Sequence, residues 1–264
     1  MPPFRMPFRR PRSHPVPFAR HATVGRSVRL LREFGYEQSE PSRFYAALAR
    51  DTADMVAGLL PADWTAGLEG AAVLDVGGGP GFFADAFADR GARYLAVEPD
   101  AGEMSAAGLS QPTTVRAQGE HLPFRTGSVD VCYSSNVAEH TPTPWAMADE
   151  MVRVTRPGGI VIISYTLWWG PFGGHETGLA HYLGGHRAAR RYLRRTGRLP
   201  KNLFGVSLFP ITAAAGLRWA QSTKDADLLT VIPRYLPRFC WPVVHIPILR
   251  ELGATNLVMV LRKH

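Results

Sequence analysis

The stretch VLDVGGGPGFF, residues 73–83, constrains the fold more than any other part of the sequence. An apolar segment of strand character runs into a glycine-rich turn, and the residues after the turn can open a helix. Such a turn offers exposed N–H groups and the positive end of a helix dipole, which favour phosphate or carboxylate. Gly79, Gly81 and Ala84 also satisfy the dinucleotide pattern G-x-G-x-x-G/A, so the turn alone does not choose between ligands.

Short apolar segments alternate with helical ones along the rest of the chain. The strand candidates are residues 71–76, 94–97, 114–117, 129–134, 160–165, 228–232 and 256–261. Helical spacing precedes them in Val24, Val28 and Leu31, and again after the turn signal SEPS. Alternation of this kind indicates crossover units on a parallel sheet, so we predict an α/β fold.

Composition limits the class of protein. A chain of 264 residues can bury one substantial core with appendages. Cys132 and Cys240 have neither zinc nor disulfide spacing, which favours a reducing compartment. Residues 239–249 form the longest apolar run, and Pro242 and Pro247 break it far short of the roughly 20 residues of a membrane span. We therefore expect a cytoplasmic protein that does not cross a bilayer.

The positive charge is concentrated at the start of the chain. The first 36 residues carry eight arginines and one acid, Glu33, against a net charge of +8 for the whole chain. The proline-rich opening excludes a helix and lacks the apolar core of a secretion signal, so residues 1–20 are predicted to be a flexible basic arm. This asymmetry favours an anionic partner such as a membrane surface, a nucleic acid or an acidic substrate.

Four motifs follow one another through the middle of the chain: LDVGGGPG, VEPD, QGEHLPFRTGSVDVCYSSNVAEH and MVRVTRPGGIVIISY. In this order and at these separations they resemble the class I S-adenosylmethionine-dependent methyltransferases, in particular those that methylate small molecules, quinones and lipids. The chain is also similar to uncharacterised methyltransferases of mycobacteria and related actinobacteria. The resemblance argues against a dehydrogenase and implies S-adenosylmethionine as cofactor, with S-adenosylhomocysteine as product. It further implies a Rossmann-like, doubly wound sheet of seven strands, mostly parallel with an antiparallel last strand, and helices on both faces.

The resemblance places a cofactor site after the first, second and fourth strands. The glycines let the backbone approach the methionine part of the cofactor, while Asp75 positions the amino group or orders the loop. Glu98 accepts both ribose hydroxyls, because an ionised carboxylate has acceptor oxygens and no donor. The predicted cofactor-binding residues are Asp75, Gly77, Gly78, Gly79, Gly81, Phe82, Glu98, Pro99, Asp100, Met104, Gln118, Gly119, Glu120, Asn136 and Val137.

One position departs from the family pattern. Gln118 stands where the family usually has the aspartate that accepts from the adenine amino group. The amide carbonyl of Gln118 can accept the same bond, but more weakly because it is neutral.

The segment 165–185 lies where this family builds its substrate lid, and it is rich in aromatic residues, histidines and glycines. Its aromatic side chains form either a wall against the acceptor or the packing of the lid itself. The predicted substrate-binding residues are Tyr165, Trp168, Trp169, Phe172, His181 and Tyr182.

The predicted catalytic residues are His175, His140 and Glu176. His175 and Glu176 are adjacent, and a histidine suits the removal of a hydroxyl proton near neutral pH. Glu139 and His140 are expected at the rim of the reaction chamber, with His140 either structural or catalytic. No histidine–carboxylate spacing in the sequence indicates a metal site, so no metal is predicted.

Arginine mixed with apolar and aromatic residues recurs in residues 186–198 and 233–252. It also occurs near residue 30, where Arg20, Arg26, Arg29 and Arg32 accompany Val24, Val28, Leu31 and Phe34. This mixture suits the interface of an anionic membrane, although the stripe near residue 30 can instead cover the cofactor pocket with its arginines in water. No RNA-binding module is recognisable, so no nucleic-acid partner is expected.

The predicted organisation is a basic arm (1–20), N-terminal helices (21–70) and a methyltransferase domain (71–264) with lid insertions at about 167–210 and 233–252. The predicted function is O-methylation of a small or lipid-like acceptor such as a cell-envelope glycolipid or its precursor, at the inner face of the membrane. The alternatives are C-methylation of a prenylated quinone, or a non-catalytic protein that binds the cofactor or a membrane surface.

Overall fold

A seven-stranded sheet forms the centre of the computed structural model, which describes residues 17–36, 39–100, 102 and 113–264. The strand order is β3-β2-β1-β4-β5-β7-β6. All neighbouring pairs are parallel except β5–β7 and β7–β6, so β7 alone runs against the others. The strands are β1 Ala72–Val76, β2 Arg93–Val97, β3 Thr114–Val115, β4 Val129–Ser135, β5 Thr155–Thr166, β6 Ala226–Pro233 and β7 Asn256–Lys263. The predicted α/β fold, with its antiparallel last strand, is confirmed.

Helices cover both faces of this sheet. One apolar cluster includes Met147 and Met151 of the helix after β4 and Leu217 of the helix before β6. A second cluster, on the other face, includes Met55 and Phe87. The described helices are α1 Val24–Phe34, α2 Pro41–Leu59, α3 Ala84–Ala88, α4 Pro144–Val154, α5 Gly185–Thr196, α6 Ala213–Ser222 and α7 Pro247–Gly253. Because both faces of the central strands are buried, those strands are apolar nearly throughout rather than alternating.

The register of the sheet brings three strand ends together. Val76 at the end of β1 pairs with Val97 at the end of β2, and Asp75 pairs with Tyr133 of β4. In the sheet, β2 and β3 lie on one side of β1, and β4 and β5 lie on the other. The crevice between β1 and β4 is therefore the switch point of strand order, where open α/β sheets bind ligands.

Two long segments interrupt the sheet on its β6 side. The first joins β5 to α6 and holds a 3-10 segment, His175–Leu183, followed by α5. The second joins β6 to β7 and holds a 3-10 segment, Arg238–His245, followed by α7. No helix in the described part of the chain is long and apolar enough to cross a membrane.

Helix α1 packs on the protein through the face that carries Arg26, not through the apolar stripe that the sequence suggests. Arg26 is buried, and its guanidinium donates two hydrogen bonds of 2.7 Å to the carboxylate of Asp51 in α2 and a third to the carbonyl of Arg234. Val24, Val28 and Leu31 are exposed instead. Arg26 is therefore not available to a membrane, and the idea that the apolar stripe of α1 covers the cofactor pocket is wrong. Residues 1–16, most of the predicted arm, lie outside the described residues.

Candidate active site

The glycine loop after β1 is tied to the end of β2 by its backbone. The amides of Gly77 and Gly78 donate to the carbonyl of Val97, at 2.8 and 3.1 Å, and the amide of Gly81 donates to Gly78. The amide of Gly79 donates to the carboxylate of Glu98 at 3.1 Å. These bonds hold the loop as a compact turn above the carboxyl edge of the sheet.

Two of these glycines are required for different reasons. Gly77 has φ +84°, and a Cβ there would lie 2.3 Å from a methyl carbon of Val137, so only glycine fits between the loop and the chain after β4. Gly79 has φ +55°, and a Cβ there would meet nothing within 4 Å. The backbone of Gly79 therefore borders open space, which a ligand can approach closely.

Glu98 is buried at the end of β2, and its second carboxylate oxygen accepts from the amide of Asp100 at 3.1 Å. Pro99 and Asp100 are exposed, and the carboxylate of Asp100 accepts from the amide of Gly102. A carboxylate has only acceptor oxygens, which is the chemistry that ribose hydroxyls require of a partner. Met104 lies outside the described residues.

Asp75 lies beneath the loop rather than at its surface. It is buried, and its carboxylate accepts hydrogen bonds from the hydroxyls of Tyr94 in β2 and Tyr133 in β4. Burial raises the pKa of Asp75 to about 7, although the two tyrosine hydroxyls oppose that rise. These bonds join β2 and β4 through Asp75 beneath the loop, and both roles predicted for Asp75 stay predictions.

The segment after β3 brings further predicted residues to the same edge. Gln118 is exposed, and its backbone carbonyl accepts from the backbone amide of His121. A Cβ on Gly119 would lie 2.7 Å from the Met147 side chain, which shows how closely this backbone packs on α4. The carboxylate of Glu120 accepts from the hydroxyl of Thr143 at 2.9 Å, so it holds the start of α4.

The chain turns sharply where it leaves β4. Asn136 has φ +58°, its amide donates to Ser164, and its side-chain oxygen accepts from Asn256 at 2.7 Å. Val137 then packs against Gly77. Phe82, on the other flank of the glycine loop, stacks on Tyr45 of α2 with ring centroids 4.8 Å apart. The loop is thus enclosed by α2 on one side and by the β4 exit on the other.

Three side chains converge beyond Val137. Glu139 and His140 occupy a 3-10 turn, Ala138–His140, and the ring of His175 in the lid lies 5.0 Å from the ring of His140 between centroids. Burial lowers the pKa of His175 to about 4; His140 lowers it further, while Glu139 opposes the shift. Glu176 does not join them, because its carboxylate accepts from Asn202 at 2.8 Å. The structure therefore does not bring the side chains of His175 and Glu176 together; it places His175 beside Glu139 and His140.

The lid aromatics divide into two groups. Tyr165, Trp168 and His181 are buried: the Tyr165 hydroxyl donates to the carbonyl of Thr212, and Trp168 packs edge-on against His181. These three contribute to the packing of the fold, which is the second of the two roles predicted for the lid aromatics, and their contact with a substrate stays a prediction. Trp169, Phe172 and Tyr182 remain exposed, and Tyr182 stacks on Trp169.

A buried arginine was missed by the sequence analysis. Arg234 follows β6 with an exposed fraction of 0%, and its guanidinium donates to the hydroxyls of Thr52, Ser135 and Ser164. It joins α2 to the ends of β4 and β5, directly below Asn136. The only signal in the sequence was a basic residue directly after an apolar strand, and its partners come from distant parts of the chain.

The strand order, the glycine turn after β1 and the buried carboxylate after β2 define a class I methyltransferase. A family described as "Methyltransferase domain" matches residues 74–163. The cofactor of this class is S-adenosylmethionine, and the open face of Gly79 beside the Glu98 carboxylate fits it. Gly77, Gly79 and Glu98 are the residues that would hold it.

The chain belongs to this methyltransferase family. It is 58% identical over 249 residues to an "Uncharacterized methyltransferase" of Mycolicibacterium paratuberculosis, which covers 93% of this chain and 97% of the relative. A protein of the same description from Mycobacterium tuberculosis strain H37Ra is 56% identical over 248 residues, covering 92% and 97%.

Solved structures show the same fold at low identity. An S-adenosylmethionine-dependent methyltransferase from Mesorhizobium loti aligns with a TM-score of 0.53 at 18% identity, covering 83% of this chain and 98% of that one. A geranyl diphosphate methyltransferase in complex with S-adenosylmethionine aligns with a TM-score of 0.51 at 15% identity, covering 91% of each chain.

Proposed function

We propose that this methyltransferase O-methylates an amphiphilic, lipid-like acceptor that it meets at a membrane surface, such as an envelope glycolipid or its precursor. The observation that carries the proposal is the contact between Phe34 of α1 and Phe172 of the lid, whose ring centroids lie 5.2 Å apart. Through this contact, an exposed apolar stripe is continuous with the lid segment that carries His175, whose amide donates to the carbonyl of Phe172.

The stripe consists of Val24, Val28, Leu31 and Phe34, with exposed fractions between 41% and 62%. Arg20, Arg29 and Arg32 are also exposed on this part of the chain. An apolar stripe flanked by arginines is the composition of a helix that lies in the interface of an anionic membrane.

The path continues inward from Phe34. Its ring contacts Phe44 of α2 at 6.1 Å, and the neighbouring Tyr45 stacks on Phe82 of the glycine loop. A series of aromatic contacts therefore extends from the exposed stripe to the glycine loop. In this proposal, an acyl or prenyl chain lies against these rings while its polar end reaches the site.

The lid also carries an open cleft of about 410 Å³, which is lined by apolar and charged side chains. Its lining includes Leu179 and Leu183, Arg191 and Arg195 of α5, and one acid, Glu176. Apolar and cationic groups side by side suit a lipid with an anionic head group.

Gly77, Gly79 and Glu98 would hold S-adenosylmethionine, which would supply a methyl group on a sulfonium. The sulfur would keep the bonding pair, and the acceptor hydroxyl would release its proton to solvent. The protein's part is to position the acceptor and to exclude water. Phe172 and Phe34 place the apolar part, while the cluster of Glu139, His140 and His175 faces the polar end.

Transfer of labelled methyl groups into a mycobacterial lipid extract tests this proposal. We expect label in the organic phase, on a product that mass spectrometry identifies as an O-methyl ether or ester. Phe172→Ala should raise the KM for the extracted acceptor about tenfold, from loss of an aromatic contact and its buried area, and leave cofactor affinity unchanged. Val115→Ala, an exposed apolar residue on the far edge strand β3, is the matched control.

Three results would contradict the proposal. Label confined to water-soluble acceptors would exclude a lipid-like substrate, and a methyl group attached to carbon would favour the quinone alternative. Cofactor binding without transfer to any component of the extract would count against the acceptor class as a whole.

A further inference from the structure

We propose that Glu139, His140 and His175 form a binding site for one divalent transition-metal ion. One potential ligand atom from each residue lies within 4.8 Å of the other two. Two of the residues follow β4 and the third belongs to the lid, so the site joins the sheet to the lid.

The carboxylate of Glu139 is only half satisfied. Its residue is 1% exposed; one oxygen accepts from the amide of Thr166 at 3.0 Å, and the other has no hydrogen-bond partner among the described residues. An unpaired buried carboxylate oxygen is costly, and a bound cation would remove that cost. The Thr166 bond also fixes the direction in which the free oxygen points.

His140 is held in the tautomer that a metal requires. Its Nδ1 lies 2.7 Å from the carbonyl oxygen of Ser207. Because a carbonyl only accepts, Nδ1 carries the proton and Nε2 is left with a free lone pair. A backbone carbonyl behind one ring nitrogen is the usual support of a histidine that ligates metal through the other.

His175 completes the set from the lid. Its Nε2 is buried and has no hydrogen-bond partner in the described ranges, and its backbone has φ +46°, an uncommon conformation for a residue with a side chain. Residues held in this region concentrate at functional sites. The strained backbone and the unpaired nitrogen are independent features of the same residue.

The ligand chemistry selects the class of metal. Two imidazoles and one carboxylate suit Zn²⁺ or Fe²⁺ with an open coordination position, whereas Mg²⁺ and Ca²⁺ prefer oxygen ligands. In a tetrahedral site, two ligands at about 2.1 Å from the ion are about 3.4 Å apart, so occupation requires the ligand atoms to move together by up to about 1.4 Å. Side-chain rotation of His175 can supply it.

Glu139 and His140 of this cluster lie close in the chain to a residue that contacts the cofactor loop. Glu139 follows Val137 by two residues, and Val137 packs on Gly77 of the cofactor loop. On the proposed O-methylation, the metal would coordinate the acceptor oxygen and favour loss of its proton as a Lewis acid. This part rests on the proposed function, whereas metal binding itself does not.

Titration of the metal-stripped full-length protein with Zn²⁺, followed by calorimetry and elemental analysis, tests the site. We expect one Zn²⁺ per chain and much weaker binding of Mg²⁺. Glu139→Gln keeps the acceptor for Thr166 and should weaken Zn²⁺ binding at least about 100-fold, as should His175→Asn. Glu176→Gln, beside His175 but facing Asn202, and His121→Asn, an exposed histidine, should bind Zn²⁺ as the parent protein does.

The absorption of the Co²⁺-loaded protein provides a second readout. A tetrahedral Co²⁺ band is expected in the parent protein and should be lost in His140→Asn. No saturable binding by the parent, or equal binding by the Glu139 and Glu176 variants, would overturn the proposal. Cofactor affinity measured in the same variants separates loss of metal from misfolding, and Zn²⁺ binding should persist even if no lipid acceptor is found.

Discussion

The carboxylate of Glu98 accepts a hydrogen bond from the backbone amide of Gly79, with 3.1 Å between the oxygen and the nitrogen. The bond closes the glycine loop onto the end of β2 across nineteen positions of the chain. The same carboxylate is thus both a brace for the loop and the acceptor expected for the ribose hydroxyls of S-adenosylmethionine.

Replacement of Glu98 by Ala should weaken cofactor binding by roughly 1 to 3 kcal/mol, because ribose hydroxyls and the Gly79 amide lose their acceptor. Glu98→Gln keeps one acceptor oxygen and should lose less. Calorimetric titration with S-adenosylmethionine measures both. Unchanged affinity in Glu98→Ala, or a preference of the parent protein for NAD, would argue against this site.

Gly79→Ala should separate cofactor binding from stability. Gly67 has φ +60° and Gly79 has φ +55°, and a Cβ at either meets nothing within 4 Å. Both alanine variants should therefore lose a similar roughly 1 to 2 kcal/mol in the free energy of unfolding. Only Gly79→Ala should also lose affinity for S-adenosylmethionine, as measured by calorimetry. Equal cofactor affinity in the two variants would show that Gly79 does not face the ligand.

Asp51→Ala should strongly destabilise the protein, because it leaves the buried guanidinium of Arg26 without its carboxylate. Removal of one partner of a buried pair costs about 3 to 5 kcal/mol. Glu33→Ala is the control, since it breaks a pair with Arg43, whose side chain is 45% exposed, and should cost less than about 1 kcal/mol. Urea unfolding measures both changes, and similar losses would contradict the burial of Arg26.

Asp75 should lower the free energy of unfolding as the pH rises, which is the opposite of the usual effect of a carboxyl group. Its pKa is raised from the ordinary value of 3.8 to about 7, so the folded protein holds this proton more tightly than the unfolded chain. The resulting stabilisation is complete below about pH 4 and is lost as the pH rises through about 7.

Urea unfolding of the parent protein and of Asp75→Asn between pH 4 and 8 tests this. The stability of the parent relative to the variant should fall with rising pH, at about 1.4 kcal/mol for each unit of pH between the two pKa values. Parallel curves for the two proteins would mean that Asp75 titrates normally.

Deletion of residues 1–16 should weaken binding to anionic vesicles without affecting cofactor affinity. The deletion removes four arginines and leaves the buried Phe18 in place. Each basic residue near such a surface contributes about 1 kcal/mol, and salt screens the attraction within about 8 Å at physiological ionic strength. Sedimentation with vesicles containing phosphatidylglycerol, at low and high salt, measures the effect.

The apolar stripe of α1 should act separately from this charge. Leu31→Glu is expected to reduce vesicle binding at both salt concentrations, and Val115→Glu on β3 to leave it unchanged. If the full-length protein does not sediment with anionic vesicles at low salt, the membrane part of the proposed function fails.

The glycine loop and the strands could be predicted from the sequence because their signals are local. An apolar run followed by glycines reports a strand and its turn without knowledge of the partners, and residues 71–76 and 129–134 match β1 and β4 within one residue at each end. The motif order also indicated where Glu98 and Asn136 stand, since parallel strands end at one edge of the sheet. The methyltransferase class and its cofactor therefore came from the sequence, and the matching family and relatives confirmed them.

Only the tertiary structure decided which faces are covered and which distant residues meet. The residue spacing in α1 showed an apolar stripe but not whether that stripe is buried. In the structure, the ion pair with Asp51 turns Arg26 inward and leaves Leu31 exposed to solvent. Likewise, the sequence placed Glu176 beside His175, whereas the fold of the lid brought Glu139 and His140 to it instead. Such contacts depend on how elements pack across the sheet, and local spacing carries no information about packing partners far along the chain.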